Sequence, residues 1–141
     1  MKVNKLLKNR IILRLLYHFR IIELGFKLSA AYWHSTHKKP KNPTTKEILQ
    51  LFYYDFLDVP KEDCKIIKIT DKELVTRCKN KCPILELSLF LGIDTKKSCK
   101  RLSEGPCKFF LKKLNKNISF TRNYNHIRPY KEDCEETITI S

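Results

Sequence analysis

Glycine is almost missing from this chain. Three glycines in 141 residues, with six prolines, leave too few breakers for a loop-rich fold. Their scarcity favours long helices and regular strands. No internal repeat and no low-complexity segment is present. Acidic residues are also scarce, fifteen against twenty-nine Lys and Arg. No opening stretch combines a short apolar run with a small-residue cleavage site, so no secretory leader is expected. No uncharged run is long enough to cross a bilayer. The most apolar stretch, residues 11–33, carries Arg14, Arg20, Glu23 and Lys27, each costly at the bilayer centre. Histidine is thin as well, and His126 alone lies outside the N-terminal region. No C-x2-C pair occurs, which removes the commonest signature of a structural zinc site.

What is present is a core and a positive field. Apolar residues make up 42% of the chain, too many for disorder and enough for one folded unit. The formal net charge is +14. Residues 1–46 hold eleven Lys and Arg against one acid, Glu23, so most of the surplus sits at the N-terminal end. Such a field suits a polyanionic partner, either nucleic acid or an anionic membrane surface. Lysine outnumbers arginine 22 to 7, and a lysine-rich composition is the plainer source of the same charge.

The periodicity predicts one long helix over residues 4–36, with Leu6, Leu7, Ile11, Ile12, Leu15, Leu16, Phe19 and Ile22 at helical spacing. Gly25 marks a bend or a close contact within it. The prolines at 40 and 43 end it in an exposed linker. A second helix starts at Thr44 or Thr45, supported by Glu47, and ends before Pro60. Residues 65–70 and 73–78 alternate as a β-hairpin. Pro83 opens a short helix that Gly92 closes. Asp94 or Thr95 caps the next, the segment 104–106 breaks it, and residues 107–114 form another. Residues 118–122 and 135–140 read as strands. The expected fold is α+β: a small, mainly antiparallel four-stranded sheet with helices packed on one face, preceded by two N-terminal helices. Residues 1–43 form a basic amphipathic helix and linker, and residues 44–141 a cysteine-bearing α+β domain, together one globular unit. The long apolar helix can also dock on a second copy of the chain, as a homo-oligomer.

Chemistry gathers on the six cysteines. A domain of this size needs no disulfide staples, so they read as reduced thiols of a cytoplasmic protein. Cys82 stands before Pro83 at a helix start, where free N–H groups and the helix dipole favour a thiolate, with Arg77, Lys79 and Lys81 nearby. It is the first candidate nucleophile. His126 is a candidate general base if it reaches a thiol, and Cys134 a third catalytic candidate. Arg122, Arg128 and Cys99 are candidates for substrate binding, an arginine gripping a carboxylate in a bidentate pair. Asp133, Glu135 and Glu136 flank Cys134; they can orient a cation or a general base, and read more simply as solvated turn residues. No cofactor is expected. If Cys78, Cys82, Cys99 and Cys134 converged they would supply four sulfurs for zinc or an iron–sulfur cluster, although their spacing lacks tight pairs.

Several of these pieces occur in one order: Cys82-Pro-Ile-Leu-Glu, then Gly92, then Cys99, then Phe120-Thr-Arg122, then Arg128-Pro-Tyr and the strand that follows Cys134. In that order the stretch 64–140 resembles the L-2-amino-thiazoline-4-carboxylic acid hydrolase-like family of small bacterial and archaeal proteins. A small-molecule-binding domain similar to vinyl reductases shares part of the pattern. The resemblance implies hydrolysis of a cyclic C–N bond in a small sulfur heterocycle bearing a carboxylate. It matches Cys82, Cys99 and Cys134 to family cysteines and Arg122 to the family's arginine. Cys64, Cys78 and Cys107 have no counterpart in it. Other uses of the chain stay open: a non-catalytic ligand- or metal-binding sensor domain, or a basic adaptor on a polyanion.

Overall fold

A computed structural model describes the backbone of residues 2–18 and 20–141, with side chains from residue 9 onward except at position 19. The N-terminal segment is two helices, α1 (Lys2–His18) and α2 (Ile21–Thr36), where the periodicity predicts one. Between them Arg20 adopts the left-handed region, at φ 58°. Leu6, Leu7 and Phe19, invoked for the long helix, lie outside the described side chains. Gly25 sits within α2, and a Cβ added to it would meet nothing within 4 Å, so no close contact requires a glycine there. Arg101 fastens the end of α1 by donating from Nε to the Tyr17 carbonyl at 3.4 Å and from Nη2 to that of His18 at 2.5 Å.

A third helix begins as α3 (Thr45–Ile48) and widens into a π-helical stretch, Leu49–Phe56. Thr44 caps it. Its Oγ1 accepts from Glu47 N at 3.2 Å, and Glu47 Oε2 accepts from Thr44 N at 2.7 Å, a reciprocal pair that satisfies two otherwise free donors. The hairpin follows as β1 (Cys64–Ile69) and β2 (Glu73–Cys78). Pro83 then starts α4 (Pro83–Leu91), and Gly92 ends it at φ 67°, the left-handed C-terminal position that suits glycine. Asp94 caps α5 (Thr95–Leu102) through Lys96 N. The expected break at 104–106 is helical instead: α6 spans Glu104–Leu114. Pro106 falls in the first turn, where its missing N–H would have had no intrahelical partner. Strands β3 (Ile118–Arg122) and β4 (Cys134–Ile140) complete the chain.

The four strands form one antiparallel sheet in the order β1-β2-β4-β3. Alternation along β2 buries Leu74, Thr76 and Cys78, and along β3 Ile118 and Phe120. Against that face lies a core rich in rings: Trp33, Phe52, Tyr53, Phe110 and Phe120. Ala30, Trp33 and His34 of α2 belong to the buried set, which makes α2 a wall of the fold. Its other face carries Ile21, Leu24, Leu28 and Tyr32, all exposed. A smaller core of Ile84, Cys99, Leu102 and Ile127 sits apart from the first. Among the described residues no helix is long and apolar enough to cross a membrane.

His34 gives the fold a pH dependence. Its Nε2–H donates to the Phe110 carbonyl at 3.0 Å, while Nδ1 is buried with no partner. Burial holds its pKa below the ordinary histidine value, and Lys39 and Lys113 act in the same direction, against the Phe110 carbonyl. A proton on Nδ1 would sit in the core with no acceptor. The neutral ring therefore contributes stability that is fully present above about pH 6.5 and is lost as pH falls through the lower folded-state value. Urea midpoints compared at pH 7 and pH 5 should fall less in His34→Gln, which keeps a donor for Phe110 and cannot titrate, than in the parent. An equal fall in both would show that His34 is not the group responsible.

Candidate functional site

The two cores do not meet everywhere. Between them lies a cavity of about 350 Å³. Its walls draw Tyr53, Phe56 and Cys107 from the larger core and Ile84 and Cys99 from the smaller. Five cysteines line it, Cys78, Cys82, Cys99, Cys107 and Cys134, together with Arg122, Arg128 and Glu136. All six cysteines of the chain are free thiols.

The sheet and α4 place three of them. Cys78 ends β2 and Cys134 begins β4, directly opposite each other in the strand register. Cys82 is the residue before α4, reached from the end of β2 by a three-residue link. Cys99 comes in from α5, on the face that α5 buries. Cys82 is the N-cap as its sequence position predicts, but its side chain makes no capping hydrogen bond. Cys134 has the more directed surroundings. Arg128 gives its sulfur two donors, the backbone N–H and Nε–H, each at 3.4 Å. The same guanidinium donates from Nη1 to the Asn80 carbonyl at 2.6 Å, which fixes it between the β2–α4 link and β4.

Three of the cavity thiols, Cys78, Cys99 and Cys107, are held protonated. Burial pushes Cys99 up to about 12, against the pull of Arg122. Burial does the same to Cys107, also to about 12. Cys78 is raised by its hydrogen bond to Cys64 and by burial, and Cys64 is correspondingly lowered as the acceptor of that bond.

Arg122 and Glu136 form the floor. Glu136 Oε1 accepts from Arg122 Nε at 2.9 Å and from Nη2 at 2.5 Å. Arg122 Nη1 donates to Ser103 Oγ at 3.0 Å. On the far side, Tyr53 O–H donates to Glu136 Oε2 and Thr76 O–H to the Tyr53 oxygen, both at 2.9 Å. Burial is the largest single influence on Arg122 and opposes its charge, yet Glu136 together with Cys107 and Cys99 outweighs it and holds the guanidinium above the ordinary arginine value. Tyr53 is pushed well up by burial and by Glu136, so it remains a phenol and a donor.

The sequence expectations divide on this geometry. Cys82, Cys99, Cys134, Arg122 and Arg128 share one cavity. His126 is not among its lining residues. Its Nε2 lies 2.5 Å from Asp133 Oδ1 in the loop before β4, so it is engaged there and not beside a thiol. Arg122 is committed to Glu136, Ser103 and Cys107, whereas Arg128 stands beside Cys134 and not beside Cys82, the first candidate nucleophile. Glu136, expected in a solvated turn, is buried in β4. Glu135 pairs with Arg77 at 2.8 Å. Among the described residues no three His, Cys, Asp or Glu side chains form a metal-holding group, so the four sulfurs proposed for zinc or iron–sulfur do not assemble. Cys78 instead turns to Cys64, sulfur to sulfur at 3.3 Å. Glu136 and Tyr53 were the site residues missed. Alternation from Ile138, an inward apolar position, to Glu136 two residues earlier was the available signal.

Compared with family models, with curated proteins and with solved structures, the chain finds no match.

Proposed function

We propose that the cavity takes a small carboxylate-bearing sulfur heterocycle and hydrolyses a cyclic C–N bond in it, with Cys134 as the nucleophile. The observation that carries this reading is the sulfur of Cys134, which receives two N–H donors from Arg128 inside a chamber shared with Cys82 and Cys99. Donors aimed at a sulfur, with a guanidinium attached, are what activate a cysteine. A chamber of about 350 Å³ admits a small ring and excludes a polymer. The resemblance of residues 64–140 to thiazoline-carboxylate hydrolases supplies the substrate class.

In this reading the Cys134 sulfur bonds to the carbon of the ring C=N group. The C=N π bond opens onto the ring nitrogen, which takes the thiol proton and then one from solvent and leaves as an amine when the C–N bond breaks. Water then displaces the sulfur, so one water is consumed and the thiol is restored. Arg128 supplies the counter-charge for the substrate carboxylate, and Cys82 and Cys99 shape the wall beside the ring. Arg122 and Glu136 act from below by holding the floor.

The test is turnover of 2-amino-thiazoline-4-carboxylate by the full chain, followed by loss of the ring. Cys134→Ala should lower kcat by about 10³-fold or more, the scale on which removal of a covalent nucleophile acts. Cys99→Ala should lower it far less. Unchanged turnover in Cys134→Ala, or none in the parent protein, would sink the reading.

A further inference from the structure

Cys64, Cys78 and Cys134 lie in one row across three neighbouring strands. Cys64 pairs with Cys78 between β1 and β2, and Cys78 pairs with Cys134 between β2 and β4. Directly opposed residues of antiparallel strands put their side chains on the same face, with Cα atoms about 4.5–5.5 Å apart. That spacing lies inside the range a disulfide spans. The first pair is already close, with Cys78 S–H donating to the Cys64 sulfur at 3.3 Å. The second pair shares the cavity. Cys134 is the accessible member of the row: it is half-buried, whereas Cys78 is 6% and Cys64 7% exposed, and Cys64 does not line the cavity.

We propose that this row is an oxidation relay, in which hydrogen peroxide attacks Cys134 and the oxidation comes to rest as a Cys64–Cys78 disulfide. Three steps carry it. The Cys134 sulfur attacks peroxide; an S–O bond forms, the O–O bond breaks, and the leaving hydroxide takes a proton to become water. This oxidises Cys134 to the sulfenic acid. Cys78 then attacks the Cys134 sulfur as its proton departs along the existing hydrogen bond to Cys64; an S–S bond forms, the S–O bond breaks, and the leaving hydroxide takes that proton as water. Finally Cys64 attacks Cys78 and releases Cys134 as a thiolate. The sum is one peroxide and two thiols giving one disulfide and two waters. The central position of Cys78 suits the last step, because Cys64 and Cys134 stand opposite it on its two neighbouring strands. The product leaves Cys134 reduced, with its Arg128 contacts available again. The relay does not depend on the hydrolytic reading, since it needs only the row of sulfurs.

The experiment treats the full chain with one equivalent of hydrogen peroxide and maps the cysteines by proteolysis and mass spectrometry. The parent should lose two hydrogens and yield a Cys64–Cys78 peptide pair. Cys64→Ser should stop at a Cys78–Cys134 disulfide. In Cys134→Ser, formation of the Cys64–Cys78 bond should slow by at least about tenfold, because sulfenic acid formation follows thiol access and activation. Two results overturn the proposal. One is a parent protein in which Cys134 gains oxygen while Cys64 and Cys78 stay thiols. The other is a Cys64–Cys78 bond that forms at the parent rate in Cys134→Ser. The parent map requires no variant to fold, and circular dichroism of each variant before treatment checks the rest.

Discussion

Glu136→Ala should lower the unfolding free energy by about 3–5 kcal/mol, the usual cost of leaving one member of a buried ion pair without its partner. The side chains of Arg122 and Glu136 are 7% and 11% exposed. Without the carboxylate, the guanidinium keeps Ser103 Oγ and a distant Cys107 sulfur and nothing of opposite charge among its hydrogen-bond partners. The Tyr53 hydroxyl loses its acceptor in the same step, and Thr76 is bonded to that hydroxyl. Against a total stability of about 5–15 kcal/mol for a domain, such a loss is severe. Replacing both members together, Arg122→Met with Glu136→Met, should recover most of it, because no unpaired charge remains. Urea unfolding of the three proteins decides the matter. A single variant within about 1 kcal/mol of the parent would mean that water reaches the pair and shares its charge.

Phe110→Ala should cost about 3–5 kcal/mol by a different route, the loss of a large buried side chain and the cavity it leaves. Phe110 is fully buried in α6. Its ring stacks on Phe56 with centroids 4.1 Å apart and planes 15° from parallel. It also meets His34 at 4.5 Å, Trp33 at 4.9 Å and Phe52 at 5.4 Å. One ring therefore joins α2, the π-helical stretch and α6. Phe110→Leu, which refills part of the volume, should cost clearly less. Equal losses for the two would point to ring geometry over volume as what the site requires. The measurement is again the urea midpoint with its slope.

These two centres were legible in the sequence to different degrees. Local chemistry announced the Thr44 cap, the Pro83 helix start, the Gly92 stop and the hairpin, because each depends on residues within one turn. The break between α1 and α2 did not announce itself. It falls at an arginine in the left-handed region, a residue with no preference for it, where glycine or asparagine would have given a sign. The widened turns of residues 49–56 carry ordinary helix formers and aromatics, so nothing local separates them from an α-helix. Register was harder still. Counting back from the Ile69–Leu74 pair puts Cys64 opposite Lys79, but a bulge between Ile66 and Lys68 shifts the count by one and brings Cys64 to Cys78. The gathering of cysteines on one cavity rests on helix and strand ends meeting in space. Sequence order hinted at those ends and did not supply the meeting.

Helix α2 has two occupations. Ile22, Phe26 and Ser29 wall the chamber, while Ile21, Leu24, Leu28 and Tyr32, one turn apart along the same rod, face outward. A helix moves as a stiff body, so a push on its outer stripe is felt at its inner one. The inner wall of the chamber and the outer apolar stripe thus share one backbone, and a substitution that shifted the helix would move Ile22, Phe26 and Ser29 together with Ile21, Leu24 and Leu28.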